Sequence, residues 1–287
     1  LEDAATRSFV AEPKVVGRAG GEESLARAVR SPADTTRVVG HVVEATHEDV
    51  AAAFAAAGAE GAAWTRSPAA ERTAILERAA DLIEERRAVF IHLAVREAGK
   101  TIGNAIGEVR EAADFCRYYA RQIRERAPAD ALGPVVAISP WNFPLAIFTG
   151  QVAGALAAGN PVLAKPAEQT PLIAREAVRA LHDAGVPRAA LQFLPGTGDA
   201  VGALLVADLR TAGVVFTGST DVATHIHRAL AARGDFPLIA ESAREGFLAV
   251  EAFTYPGLLN TSRLLGRRLL AVPMDAQGLR PEALTAA

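Results

Sequence analysis

The stretch of sequence that decides the fold is residues 135–240, which begin with VVAISPWNFP (135–144) and continue with PVLAKPAE (161–168) and GVVFTGST (213–220). Short apolar runs in this stretch are typical of buried strands, and we predict strands at 135–139, 161–164, 191–194, 213–216 and 237–240. Helical patterns separate these runs, at 145–158, 170–184, 199–207 and 220–233. Apolar strands that alternate with helices predict a doubly wound α/β fold, in which helices cover both faces of a parallel sheet.

The region before this stretch is rich in alanine and predicts helices. Residues 47–64 and 68–100 carry apolar residues at the three- and four-residue spacing of a helix face. A third helix is expected at 104–124, where Cys116 follows Val109 by two helical turns and therefore shares its face. We expect Cys116 to be a small buried hydrophobic residue rather than a reactive thiol, because no His or Lys flanks it to stabilise a thiolate.

The composition excludes several classes of protein. The 287 residues suffice for one large domain or two ordinary ones, and 50% hydrophobic with 22% charged residues is typical of a folded globular chain. A formal net charge of −3 provides no broad positive field, so we expect no nucleic-acid partner. The apolar stretches fall well short of the roughly 20 residues of a membrane-spanning helix, so we expect no membrane span.

The cysteine count and the first residues of the chain bear on disulfides, metal binding and cellular location. With one cysteine the chain forms no intrachain disulfide, and we predict no metal site. The first ten residues lack the basic and apolar regions of a secretory signal, so we expect a cytoplasmic protein. Because the sequence begins with Leu1 rather than Met, we expect it to be a fragment.

Three unusual turns follow the predicted strands. They read PWNFP at 140–144, KPAE at 165–168 and TGST at 217–220. Ligands of open parallel sheets bind outside the carboxyl ends of the strands, so each turn is a candidate contact for a dinucleotide. Each signal is weak by itself, because a Gly-Ser-Thr at the start of a helix is more often an ordinary N-cap.

The side chains in these turns suit a nucleotide. Lys165 and Glu168 combine a cation with an acceptor for ribose hydroxyls, although Lys165 is also interpretable as a solvated surface lysine. Gly218 permits close backbone approach, and Ser219 with the first amides of the next helix can donate to a pyrophosphate. Residues 195–202, PGTGDAVG, nearly match the dinucleotide motif G-x-G-x-x-G, but the last glycine comes one residue late.

In this order the motifs resemble the aldehyde dehydrogenase superfamily, and within it the glutamate semialdehyde (pyrroline-5-carboxylate) dehydrogenase module of proline utilization A proteins. The resemblance covers about residues 31–241 and includes SPAD at 31–34, REAGK at 96–100 and EVREA at 108–112, besides the turns above. It implies a helical region that leads into a Rossmann-like NAD-binding domain. It also implies a homo-oligomeric enzyme that oxidises an aldehyde, glutamate semialdehyde, to a carboxylate through a thioester on a cysteine.

The resemblance assigns roles to single residues. Asn142 matches the amide that stabilises the oxyanion, although it is also interpretable as a turn residue between prolines. Glu241 matches the general base, or is an exposed loop carboxylate. Lys165 and Glu168 match ribose contacts, and the pyrophosphate contacts belong to the third turn. The cofactor-binding residues that we predict are Ser139, Pro140, Trp141, Asn142, Lys165, Ala167, Glu168, Gly198, Gly218 and Ser219.

The sequence departs from the family after Glu241. The family continues with one residue and two glycines, whereas this chain continues with Ser242, Ala243 and Arg244. No cysteine follows, and the carboxylate that holds the nicotinamide ribose has no match. We therefore expect the catalytic domain to be missing. The chain is then either an NAD-dependent dehydrogenase by lineage, a catalytically inactive NAD-binding remnant, or a subunit that supplies its half to another chain.

The domain boundary is expected at residue 243, with the NAD-binding domain at 1–243 and a tail at 244–287. The tail predicts an apolar strand that ends at Phe253, a helix, and a strand at 268–273. It resembles an internal piece of a fold-type I aminotransferase. No lysine follows Lys165, so the tail cannot bind pyridoxal phosphate as a Schiff base.

Overall fold

The computed structural model describes residues 8–16, 26–125, 130–233, 237–243, 247–251, 268–272, 274–275 and 278–279. The chain divides into two compact units. The first consists of Leu1–Thr217 with His225–Ala240, and the second of Gly218–Thr224 with Glu241–Ala287.

A small sheet near the amino terminus was not predicted from the sequence. It contains β1 (Phe9–Ala11), β2 (Arg27–Ser31) and β3 (Asp34–Val42), with β3 in the centre. β3 is antiparallel to β2 and parallel to β1. Gly40 of β3 is needed here, because a Cβ at this position would collide with the carbonyl oxygen of Phe9.

The predicted helical region forms five helices. They are α1 (His47–Ala59), α2 (Ala62–Arg66), α3 (Ala69–Glu85), α4 (Arg87–Arg96) and α5 (Ile102–Glu125). The stretches predicted as single helices at 47–64 and 68–100 are therefore each divided in two. Gly99, with φ of +67°, follows α4 in the left-handed conformation that favours glycine and separates α4 from α5.

The five predicted strands form one five-stranded sheet with the order β6-β5-β4-β7-β8. The pairs β4–β5, β4–β7 and β5–β6 are parallel, which confirms the doubly wound α/β class. The strands are β4 (Val135–Ile138), β5 (Val162–Lys165), β6 (Leu191–Phe193), β7 (Gly213–Ser219) and β8 (Leu238–Ala243). The connecting helices are α6 (Ala146–Ala157), α7 (Pro171–Ala184), a π-helix (Gly198–Gly202) with α8 (Ala203–Ala207), and α9 (Thr220–Ala231).

The core of the first unit lies between the helices and this sheet. α6 packs against α5 and β4, and glycines on α6 allow the close approach, since a Cβ on Gly150 would lie 2.9 Å from the ring of Phe115. Cys116 of α5 is fully buried, as predicted. Burial raises the pKa of its thiol to about 12, so it is not a thiolate at neutral pH.

The described residues of the tail form two short sheets. β9 (Phe247–Glu251) pairs with β10 (Arg268–Val272) in parallel, and β11 (Met274–Asp275) pairs with β12 (Gly278–Leu279) in antiparallel. The strands predicted in the tail are thus present, whereas the helix predicted between them lies outside the described residues. None of the helices that the structure describes is long and apolar enough to cross a membrane.

Candidate cofactor-binding site

The first two predicted turns meet at the carboxyl edge of the sheet. In the register of β4 and β5, Ile138 lies opposite Lys165, and the amide of Ser139 donates to the Lys165 carbonyl oxygen at 3.3 Å. Ser139 is buried and Pro140 is half-buried. The two strands therefore end side by side, and the loops that follow them start from neighbouring positions.

Lys165 is the most unusual side chain at this edge. The residue is only 4% exposed, so the alternative of a solvated surface lysine is wrong. Its Nζ donates to the carbonyl oxygen of Pro166 at 3.1 Å. Burial lowers the pKa of Lys165 to about 8, although the carboxylates of Glu168 and Glu44 act in the opposite direction. An ammonium has three hydrogens, so this group has donors to spare for a ligand.

The near-match to the dinucleotide motif forms a π-helix, Gly198–Gly202. The carbonyl oxygen of Thr197 accepts from the amide of Val201 at 3.1 Å and from the amide of Gly202 at 3.2 Å. The second bond spans five residues, one more than in an α-helix.

The π-helix brings Gly202, rather than the predicted Gly198, beside the buried lysine. A Cβ on Gly202 would lie 3.5 Å from Cε of Lys165, so a larger side chain would press on the lysine stem. Gly198 is exposed, and a Cβ there would meet no atom within 4 Å. Sequence reasoning missed Gly202, although its position at the end of the quoted near-match was a signal for it.

The loop after β4 presents its middle residues to solvent. Trp141 is 57% exposed, Phe143 is 39% exposed, and Asn142 between them is exposed. Ser139 before these residues and Pro144 after them are buried. Asn142 is thus exposed in the middle of a loop whose two ends are buried.

Two residues outside the predicted site hold the far end of this loop. The buried carboxylate of Glu108 accepts from the amide of Leu145 at 3.1 Å and from the amide of Ala146 at 2.9 Å. Its other oxygen forms an ion pair with Lys100, whose Nζ lies 3.9 Å from the ring centroid of Phe143. The only sequence signal was that both residues lie in the quoted motifs REAGK and EVREA.

The loop after β5 carries Ala167, which is buried, and Glu168, which is half-buried. Arg27 of β2 donates from Nη2 to the Glu168 carbonyl oxygen at 3.0 Å, and from Nε to Glu44 at 3.3 Å. The small amino-terminal sheet therefore holds the backbone of this loop, while the Glu168 side chain keeps partial access to solvent.

A second buried carboxylate lies where this loop enters α7. Glu97 accepts from the amide of Leu172 at 2.7 Å and from the amide of Ile173 at 2.9 Å. Burial raises the pKa of Glu97 to about 8, against the opposing effect of these two hydrogen bonds. Glu97 was also not predicted as part of the site.

Gly218, Ser219 and Glu241 belong to the second unit, whereas Lys165 belongs to the first. Gly218 and Ser219 were predicted in a turn, but they are the last residues of β7, because the strand runs directly into α9. The Oγ of Ser219 accepts from the amide of Val222 at 3.3 Å, which is the bond expected of an ordinary helix cap. Glu241 was predicted after a strand and instead lies within β8, where it is exposed.

A cavity of about 360 Å³ lies at the opposite edge of the sheet. Its lining includes Val135 and Gly213, the first residues of β4 and β7, and the side chains of Leu132, Tyr119 and Ile239. Ligands of parallel sheets bind at the carboxyl ends of the strands, so this mainly apolar cavity is not the candidate cofactor site. Within the described parts of the chain, no group of three His, Cys, Asp or Glu residues could hold a metal ion.

Residues 20–243 match the aldehyde dehydrogenase family, and the chain therefore belongs to that family. The parallel sheet and the loops at its carboxyl edge agree with this assignment.

Three relatives show which members of this family the chain is similar to. The chain is 53% identical to the bifunctional protein PutA of Escherichia coli (strain K12) over 232 residues, which are 78% of this chain and 18% of that protein. A solved 1-pyrroline-5-carboxylate dehydrogenase from Thermus thermophilus superposes with a TM-score of 0.77 at 31% identity, over 88% of this chain and 54% of that one. An NAD-dependent benzaldehyde dehydrogenase from Corynebacterium glutamicum has a TM-score of 0.75 at 30% identity, over 84% of this chain and 56% of that one.

The chain thus spans about a fifth of the length of PutA and about half of the length of the two shorter relatives. The family match ends at residue 243 and gives no support to the aminotransferase resemblance of the tail.

Proposed function

We propose that this chain carries the NAD-binding part of a glutamate semialdehyde dehydrogenase, which oxidises the aldehyde to glutamate in proline catabolism. The name of the Thermus thermophilus relative, a 1-pyrroline-5-carboxylate dehydrogenase, supports the substrate, and that of the NAD-dependent relative in Corynebacterium glutamicum supports the cofactor. The observation that carries the proposal is the junction of the two loops at the carboxyl edge, where Ser139 donates to Lys165 at 3.3 Å.

The residues at this junction fit a nucleotide ribose. A ribose offers hydroxyls that both donate and accept, and Lys165 supplies spare ammonium hydrogens while the Glu168 carboxylate accepts. Gly202 leaves room beside the lysine stem, since a Cβ there would lie 3.5 Å from Cε. With a pKa of about 8, Lys165 is mostly charged at neutral pH and keeps all three hydrogens.

The loop after β4 supplies the group closest to the reaction. NAD bound here would supply the hydride acceptor, once a nucleophile that these 287 residues do not provide has added to the aldehyde carbon. The exposed Asn142 amide would donate a hydrogen bond to the aldehyde oxygen, on which negative charge develops when the nucleophile adds. Its loop is held at both ends, so little reorganisation is needed when the charge forms.

These 287 residues lack an accessible sulfur nucleophile. Their single cysteine, Cys116, is fully buried, with a pKa raised to about 12. Deleting a catalytic nucleophile costs on the order of a millionfold in turnover in a well-studied protease. We therefore infer that these residues by themselves bind NAD without oxidising the aldehyde, which favours a binding module over a complete enzyme for this stretch of sequence.

The test is calorimetric titration of the purified chain with NAD. We expect binding that Lys165→Ala weakens by about tenfold or more, because a charged hydrogen bond of about 1.5–3 kcal/mol is lost. Lys14→Ala is the matched control, since Lys14 pairs with Glu12 and should leave the affinity unchanged. A folded chain that binds no NAD, or equal effects of the two variants, would contradict the proposal.

The same preparation also tests turnover. After glutamate semialdehyde is added to the chain with NAD, we expect the absorbance of NADH to stay at the level of the protein-free blank. Turnover that disappears in Cys116→Ser would show that the buried thiol is reactive, contrary to this account.

A further inference from the structure

We propose that Lys100 and Glu108 form a positioning pair that holds the loop carrying Asn142, and that neither residue touches the substrate. The relevance of this pair for aldehyde oxidation rests on the proposed function. The hold on the loop itself does not, because it requires neither NAD nor aldehyde.

Glu108 ties the loop to α5. Its side chain is 1% exposed, and one carboxylate oxygen accepts from the two consecutive amides of Leu145 and Ala146 at 3.1 and 2.9 Å. The first amides of a helix lack intrahelical partners, so a side chain from another helix that accepts from them fixes where α6 begins. The position of Pro144 and the residues before it follows from that start.

Lys100 acts on the same loop from a second direction. Its ammonium pairs with Glu108 and lies 3.9 Å from the ring centroid of Phe143. A cation over an aromatic ring is attracted by the negative face of the ring, more strongly when it is desolvated, and the Lys100 side chain is only 13% exposed. Lys100 thus connects a buried carboxylate to the ring that directly follows Asn142.

The backbone places Lys100 for this role. Gly99 has φ of +67°, a conformation that side chains rarely adopt, and a Cβ there would lie 2.9 Å from the ring of Pro32. The amide of Lys100 donates to the Ala94 carbonyl oxygen at 3.1 Å. The turn between α4 and α5 is therefore held in one conformation, and the lysine stem starts from a fixed point.

The loop has few other restraints. Its amino-terminal end is held by the hydrogen bond from Ser139 to Lys165, whereas Trp141, Asn142 and Phe143 are exposed. Lys100 and Glu108 act at the carboxyl-terminal end, immediately after Asn142. Without them we expect Asn142 to sample several orientations instead of one.

Trp141 is a built-in reporter of this motion. The chain has two tryptophans, and Trp64 is 2% exposed with its indole nitrogen donating to Leu156, whereas Trp141 is 57% exposed beside Asn142. Acrylamide quenches exposed tryptophan and, being neutral, does not respond to the loss of a charge. Quenching and fluorescence anisotropy of the full chain therefore report on the loop.

We expect Lys100→Met to lower the tryptophan anisotropy and to increase acrylamide quenching, while Lys100→Arg retains both values because it keeps the cation. Glu97→Gln is the matched control, since it alters the equivalent carboxylate at the start of α7 and should leave Trp141 unchanged. Circular dichroism checks that each variant is folded.

Unchanged anisotropy and quenching in folded Lys100→Met would overturn the proposal, as would an equal change in Glu97→Gln. If Lys100→Met does not fold, Phe143→Leu removes only the ring and leaves the ion pair, and we expect it to loosen the loop in the same direction. No change in Phe143→Leu would then overturn the proposal. Failure of NAD titration together with the expected fluorescence changes would reject the proposed function and leave this pair in place.

Discussion

The loop after β4 and the loop after β5 are each held by a buried glutamate, but the two glutamates differ in their electrostatic surroundings. In each, a buried glutamate from the region of α4 and α5 accepts from two backbone amides at the start of the helix that follows the loop. Glu108 has the ammonium of Lys100 as its partner. The pKa of Glu97 is raised to about 8 by burial, and hydrogen bonds alone oppose that effect.

This difference shows that two helix starts can each be held by a buried glutamate at different electrostatic costs. A buried charge is costly unless it is paired and hydrogen-bonded. Glu108 is charged and paired with Lys100. Glu97 has no such partner among the causes of its pKa shift, and burial instead favours its protonated, neutral form. The loop with the oxyanion donor is thus held by a charged pair, and the loop with the ribose contacts by a carboxyl group whose charge depends on pH.

The largest expected effect is a difference in the free energy of unfolding between Glu108→Gln and Glu97→Gln. Glu108→Gln leaves the ammonium of Lys100 buried without its counter-charge, and such a loss costs about 3–5 kcal/mol. Glu97→Gln breaks no ion pair but leaves one of two buried amides without an acceptor, because each oxygen of Glu97 accepts from one amide, and should cost about 1–3 kcal/mol. Urea denaturation of both variants measures the difference. Equal losses of unfolding free energy in the two variants would mean that the ion pair with Lys100 does not make Glu108 different from Glu97.

A smaller effect concerns pH. The folded-state pKa of Glu97 is raised from 4.5 to about 8, so between these values the folded chain binds a proton that the unfolded chain has released. Its contribution to stability is present at low pH and is lost as the pH rises to about 8, with a slope of at most about 1.4 kcal/mol per pH unit. In Glu97→Gln this part of the slope should vanish.

Urea denaturation at several pH values between about 5 and 8 provides the measurement. Arg117→Gln is a useful reference, because Arg117 pairs with Glu84 on the surface and should leave the slope due to Glu97 in place. A slope that persists in Glu97→Gln would show that this carboxyl is ionised in the folded chain.

The sheet was predictable from the sequence, whereas the amino-terminal sheet was not. β4 and β5 are buried along their whole length, and they read as apolar runs that only Lys165 at the end of β5 interrupts. The first residues of β3, from Asp34 onward, are exposed, so this strand lacks the alternation that identifies a half-buried strand. Its pairing with β1 and β2 depends on contacts that no local pattern reveals.

The same contrast holds for the site. Lys165 was proposed because it lies at the carboxyl end of a strand, where ligands bind, and Asn142 because the loop after β4 matches a motif of the family. Glu97 and Glu108 escaped because they act on amides 75 and 37 residues away in sequence. Gly202 escaped because its one-residue offset from the motif G-x-G-x-x-G argued against a role, and the π-helix that brings it beside Lys165 is not visible in the sequence.

The most direct test of the central claim, that NAD binds at the carboxyl edge of the sheet, is hydrogen exchange of the backbone amides with and without NAD. We predict slower exchange in peptides covering 139–144 and 165–169. Peptides covering Leu132 and 213–215, at the opposite edge, should be unchanged. Slower exchange confined to the opposite edge, or no change in either loop, would contradict the account.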